Sequence, residues 1–214
     1  TKMSLWVDRY RPKRFEELDY HLSQAENLKK IVKQDDFPHL LLYGPMGAGK
    51  KTRLSCILRG LYGSNVEKLK LESMAFQVSS GKKIEINIIS SSYHIEINPS
   101  DVGIYDRVVI QDIIKQSAQT LQLDTSLKKK FKIIVMVEAE RLTKDAQHAL
   151  RRTMEKYAES CRIILIAESL SSIIDPIQSR CLCVRVGSPA EHEIVGVMDK
   201  ICQRENIQLS HKLA

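Results

Sequence analysis

Gly44-Pro45-Met46-Gly47-Ala48-Gly49-Lys50-Lys51-Thr52 decides how the rest of this chain is read. Immediately before it stands Leu40-Leu41-Leu42-Tyr43, too short for a helix and continuously apolar, as a strand covered on both faces is. Immediately after it, Leu54, Ile57, Leu58 and Leu61 recur at helical spacing. A glycine-rich turn between strand and helix is a P-loop. Its glycines let backbone N–H groups face phosphates, the helix N-terminus adds a positive dipole, and Lys50 reaches the β and γ oxygens. The expected nucleotide-binding residues here are Gly47, Ala48, Gly49, Lys50, Lys51 and Thr52.

Working outward, Ile133 to Val137 and Ile163 to Ala167 are two further short apolar runs and read as buried strands. From Thr143, an N-cap with Asp145 in the first turn behind it, Ala146, Leu150, Thr153 and Tyr157 form one helical stripe. Strands alternating with helices predict an α/β fold, a parallel sheet flanked by helices. Ile84 to Ile97 alternates imperfectly across two polar breaks and is expected to hold a hairpin or two strands. Asp124 to Lys132, with Lys128, Lys129 and Lys130 in a row, reads as an exposed, solvated loop leading into a strand. Gly187, Ser188 and Pro189 mark a boundary, and Glu191 to Arg204 reads as one helix. The expected division is a nucleotide-binding domain over 1–187 and the incomplete beginning of a second domain over 188–214.

Composition narrows the class. The 214 residues are 43% hydrophobic with 9 Gly and 6 Pro, which is globular rather than disordered. The apolar runs stop at about five residues, far below the ~20 that cross a bilayer, and Thr1 to Leu5 lacks a signal-peptide core. The expectation is a soluble intracellular protein with no membrane partner. A net charge of +7, from 33 basic and 26 acidic side chains, permits a polyanionic partner without establishing one. Of the five cysteines, Cys181 and Cys183 alternate in a strand-like stretch and are expected to be buried thiols; no metal spacing is present.

Two positions depart from a working P-loop enzyme. The residue after the P-loop lysine ordinarily offers a hydroxyl to Mg²⁺, but here it is Lys51; Thr52 comes one residue late, rotated by about 100° around a helix. The strand Ile133-Ile134-Val135-Met136 runs into Val137-Glu138-Ala139-Glu140, so Glu138 keeps the position that polarises water while valine replaces the metal-binding aspartate. Two metal contacts are lost, which puts Mg²⁺ in doubt, unless Thr52 with Glu140 or Glu138 repairs the site. The expectation is that ATP or ADP binds with little or no hydrolysis.

Further boxes surround the loop. Leu5-Trp6-Val7-Asp8-Arg9-Tyr10-Arg11-Pro12, Pro38-His39-Leu40-Leu41-Leu42-Tyr43-Gly44-Pro45, the helix Leu142 to Tyr157 and Pro176-Ile177-Gln178-Ser179-Arg180-Cys181 stand in order. Together they resemble the AAA+ small subunits of the replication factor C clamp loader, over residues 5 to about 185. With Lys51, Val137 and Ser92 to Asp101, the chain looks most like the hydrolysis-deficient member of that family.

The resemblance implies an AAA+ domain, a helical lid beginning at 188, and a collar that this chain lacks. It implies partnership with the other replication factor C subunits in a hetero-pentamer, with the sliding clamp PCNA and with primer-template DNA, in the nucleus. By the same resemblance Val7, Tyr10, Arg11 and Pro12 close over the base, and Arg180 acts in trans on a neighbouring subunit's nucleotide. Arg107 and Lys144 are candidate contacts to DNA phosphates. The family's polar sensor falls on Glu168, or on Ser169 if the alignment shifts by one. Arg151 and Arg152 are read either as neighbour contacts or as partners of Glu155 on their own helix. A self-sufficient P-loop ATPase and a pure interaction module are the competing readings.

Overall fold

The computed structural model describes residues 5–77, 83–121, 129 and 131–207. Chain order runs α1 (Trp6–Arg9), α2 (Leu22–Lys33), β1 (Leu40–Tyr43), α3 (Lys50–Tyr62), β2 (Lys70–Gln77), β3 (Lys83–Ser90), β4 (His94–Ile97), α4 (Asp106–Leu121), β5 (Lys132–Met136), α5 (Lys144–Lys156), β6 (Cys161–Ala167), α6 (Asp175–Gln178), β7 (Leu182–Arg185) and α7 (Glu191–Glu205). The strands form one sheet in the order β2-β3-β4-β5-β6-β1-β7. From β4 to β7 every pairing is parallel; β2, β3 and β4 pair antiparallel at the other end.

The three apolar runs are strands because both of their faces are covered. Alternation sends Leu41, Ile134, Met136, Ile163 and Leu165 into a cluster with α4 and α5, while Leu40, Leu42, Ile133, Val135 and Ile164 join a second cluster with α2 and α3. α5 starts as its sequence predicts: Thr143 Oγ1 accepts from the Ala146 N–H at 3.2 Å. A second tie fixes the same end. Buried Asp106, the first residue of α4, accepts from the Thr143 N–H at 2.7 Å and from its hydroxyl at 3.0 Å, so the N-termini of α4 and α5 are bound together.

One reading is borne out but incomplete, and two need correction. The Ile84 to Ile97 segment does contain two strands, but its first strand pairs mainly with β2, which the sequence did not reveal. Leu69 and Leu71 are exposed, and Lys70-Leu71-Glu72-Ser73 carries no clean alternation. β2 lies at the sheet's edge, where packing does not demand apolar periodicity. Cys183 is exposed and Cys181 only partly buried, because β7 is the opposite edge strand and most of its length is uncovered; Cys56, Cys161 and Cys202 are the buried thiols. In the basic run, Lys129 is only partly exposed and is held at the surface: its ammonium donates to the Gln34 carbonyl at 2.9 Å and lies 3.5 Å from Asp35. Lys128 and Lys130 lie outside the described residues. No described helix is long and apolar enough to cross a membrane.

Two histidines give the fold a pH dependence. Burial pushes His94, 2% exposed and with Nδ1 2.7 Å from Ser91 Oγ, down to about 4. Burial, then the nearby Arg162, does the same to His39, whose Nδ1 accepts from the Ile163 N–H at 3.0 Å. Both are neutral in the fold, while the unfolded chain takes up their protons below about 6.5. Stability is therefore fully present above about pH 6.5 and falls toward pH 4, by about 1.4 kcal/mol per pH unit for each histidine within that window. Urea unfolding at pH 7.5 and pH 5 checks this: equal midpoints refute it.

Candidate functional site

β5, β6 and β1 are neighbours, so the residues that leave their carboxyl ends converge, as expected for a ligand crevice in an open α/β sheet. Gly44 leaves β1, Val137 and Glu138 leave β5, and Glu168 leaves β6. Val137, Glu138 and Glu168, with the loop that follows Gly44 and residues of α1 and α7, line a cavity of about 790 Å³. Every residue that the sequence assigned to the nucleotide lines it: Val7, Tyr10, Arg11 and Pro12 on one side, Gly47 to Thr52 on another. Glu138, Glu140 and Glu168 line it too. Ser169 is not among the lining residues; its hydroxyl accepts from the Ser171 N–H at 3.2 Å, so the position directly after β6 is occupied by Glu168.

The loop turns as its glycines require. Gly47 and Gly49 hold φ of +75° and +86°, and Gly49 is the N-cap of α3. Lys50 folds back on its own loop, donating to the carbonyls of Gly44 at 2.5 Å and Pro45 at 2.8 Å. Burial pushes its ammonium below its ordinary value, while Glu168 and Glu140 oppose that shift. Glu140 Oε2 is buried with no hydrogen-bond partner among the described residues. Glu138 sits at φ +56° and its Oε2 accepts from Ser100 Oγ at 3.1 Å. Lys51, half-exposed, lies 3.7 Å from Glu96 on β4.

Sequence reasoning did not foresee that α7 packs beside the cavity. α7 is tied to the N-terminal segment beside the cavity by Arg9 and Tyr10, which reach Glu205 at 2.6 and 2.5 Å, by Arg204 over the Tyr10 ring and by an ion pair from Lys200 to Asp19, which lies between α1 and α2. The hydrogen bond from Tyr10, then that from Arg9, holds the Glu205 carboxyl below its usual value. Ile201 of α7 thereby joins Trp6 in the lining. The only sequence signal was the helical pattern of Glu191 to Arg204, which says nothing about direction.

A family model described as DNA polymerase III, delta subunit, matches residues 20–189. Replication factor C subunit 3 of Bos taurus is 56% identical over 216 residues, covering 99% of this chain and 61% of the relative. Replication factor C subunit 5 of Schizosaccharomyces pombe is 53% identical over 209 residues, covering 98% and 58%. This chain belongs to the replication factor C small-subunit family. It spans about three fifths of the length of the relatives it matches. A solved Thermotoga maritima RuvB variant aligns with a TM-score of 0.61 at 15% identity, over 94% of this chain and 56% of its own, a likeness of AAA+ fold alone.

Not every residue the replication factor C pattern singles out lies at the cavity. Arg180 is not among its lining residues. On the turn after α6, its Nε donates to Glu155 Oε1 and its Nη1 to the Pro176 carbonyl, both at 2.7 Å. Arg151 pairs with the same Glu155 at 3.9 Å, the own-helix arrangement, whose worth on a surface is small. Arg107 and Lys144 are exposed in the first turns of α4 and α5, which follow the carboxyl ends of β4 and β5, the same end of the sheet as β1's loop, but neither lines the cavity. Arg107 shares a small cleft with His148 and Arg152. At the two positions read as magnesium contacts, Val137 has no side-chain oxygen to give and Lys51 brings a cation, so these two residues do not fit the ion.

Proposed function

We propose that this chain is the nucleotide-holding, weakly or non-hydrolysing small subunit of a clamp loader that places the PCNA ring on primer-template DNA in the nucleus, together with the other replication factor C subunits. Residues 1–187 form its AAA+ domain, and 188–214 begin the lid. The observation that carries the reading is a cavity that keeps the phosphate loop and Lys50 but has Lys51 and Val137 at both metal-contact positions.

Phosphoryl transfer needs neutralisation of charge that develops on the γ-phosphoryl, a task usually given to the metal. Here the chain's own residues bind and orient. Val7, Tyr10 and Trp6 cover the base, Pro12 fixes the extended backbone beside it, and Lys50 with the loop's N–H groups takes the phosphates. Glu138, Glu140 and Glu168 crowd the far end with negative charge, which disfavours a γ-phosphate and favours ADP. Catalysis passes to Arg180, which reaches a neighbouring subunit's nucleotide. Arg107 and Lys144 contact DNA phosphates, a role that tracks the backbone without reading bases.

Nucleotide binding by the full-length protein in Mg²⁺ and in EDTA tests the reading. The expected result is ADP affinity equal within about twofold in the two buffers, since a site without metal ligands gains nothing from the ion, and no phosphate release from ATP. Robust Mg²⁺-dependent release from its own P-loop would instead support a self-sufficient ATPase.

A further inference from the structure

Helix α3 opens Lys50-Lys51-Thr52-Arg53, with no acidic residue in its first turn. That reverses what a helix N-terminus favours, since the macrodipole is already positive there. Arg53 is the extreme case. It is 0% exposed, and its guanidinium is met by neutral groups only: Nε donates to Gln24 Oε1 at 3.0 Å, Nη1 faces the Ala48 and Gly49 carbonyls at 3.4 Å each, Nη2 faces the Tyr20 carbonyl at 3.4 Å, and the Tyr20 ring centre lies 4.9 Å away. No carboxylate is among these partners. Dipoles alone compensate a buried charge poorly.

The two loop carbonyls belong to particular peptide units. The Ala48 carbonyl shares a planar peptide with the Gly49 N–H, and the Gly49 carbonyl shares one with the Lys50 N–H. Holding both oxygens against the guanidinium turns both N–H groups the other way, and Gly49 and Lys50 line the nucleotide cavity. The approach depends on glycine: a Cβ on Gly49 would stand 2.5 Å from the Tyr20 hydroxyl and 2.9 Å from Arg53 Nη1.

We propose that Arg53 is a positioning residue and a buried counter-charge for the nucleotide phosphates. It sets the phosphate-binding peptides from behind, and its own charge is matched only when the polyanion is bound. The inference rests on the nucleotide reading above. Beside Lys51 it supplies fixed positive charge where the metal contacts are absent. The empty domain carries the unmatched charge, so nucleotide contributes to the stability of the fold as well as filling a pocket.

Arg53→Met and Arg53→Lys in the full-length protein, with thermal melting and ADP affinity measured in EDTA, test this. Arg53→Met, apolar and of similar length, is expected to melt without ADP at or above the wild-type temperature, yet to bind ADP roughly ten- to hundredfold more weakly, the range for one lost charge-assisted interaction. Arg53→Lys keeps the charge without the fork and falls between. A merely structural arginine predicts something else: Arg53→Met melting lower by the same amount with and without ADP, at unchanged affinity. That result overturns the proposal. Should Arg53→Met not fold, Arg53→Lys decides alone, since a several-fold affinity loss supports the role and unchanged affinity refutes it. Wild-type protein that fails to bind ADP overturns the nucleotide reading itself, an outcome distinct from wild type and both variants binding equally.

Discussion

Replacing Arg180 by alanine in the assembled loader is expected to lower ATP turnover at the neighbouring site by about 10³-fold and to leave ADP affinity in this chain's own cavity unchanged. The two halves of that result follow from where Arg180 sits. It is absent from the lining of its own cavity, so its loss removes nothing from the nucleotide held there. Its guanidinium stands on the surface turn after α6, about a third exposed, braced by Glu155 and by the Pro176 carbonyl. An exposed ion pair contributes little to stability, so the alanine variant is expected to fold normally. The brace restricts the rotamers of a long side chain before any partner arrives, which lowers the entropy lost on docking. Phosphate release by the pentamer, with clamp and primed DNA present, is the measurement. Turnover equal to wild type would leave Arg180 as a structural arginine closing a turn.

Gly44→Ala is expected to destabilise the domain by about 3 kcal/mol or more and to abolish tight nucleotide binding. Gly44 has φ +148°, a backbone conformation that an L side chain resists. A Cβ there would stand 1.9 Å from the Val186 carbonyl oxygen and 2.9 Å from its carbon. Backbone cannot yield as the end of a side chain can. The Val186 N–H donates to the Tyr43 carbonyl at 2.7 Å and the Gly44 N–H to the Ala167 carbonyl at 3.2 Å, so the end of β1 is stitched on both sides. Relief means moving either the phosphate loop or the segment that leads from β7 into α7. Denaturant unfolding with and without ADP reads both losses; a variant with wild-type midpoint and ADP affinity would show that the loop has slack that the geometry does not reveal.

The central sheet was legible because its strands are buried on both faces: continuous apolar runs have no other good use at that length. α5 was legible because Thr143 announces its cap locally. β2 and the exposure of Cys183 were not, since both belong to edge strands, where one flank lacks a neighbour and the demand on residue type relaxes. Arg53 in sequence is one more cation in a basic stretch; only folding reveals that it points inward against Ala48 and Gly49.

The sequence by itself determined the family, the glycine-rich loop between strand and helix, and the presence of Lys51 and Val137 at the positions read as metal contacts, because each rests on short-range spacing or on the identity of one residue. The tertiary structure decided what lies far apart in the chain: that α7 reaches back through Glu205 to Tyr10 and Arg9, that Glu168 rather than Ser169 faces the cavity, and that Arg180 is held by Glu155 outside it. Those are contacts between residues up to 196 positions apart. Their geometry is fixed by packing of the whole sheet and its helices, which no local pattern encodes.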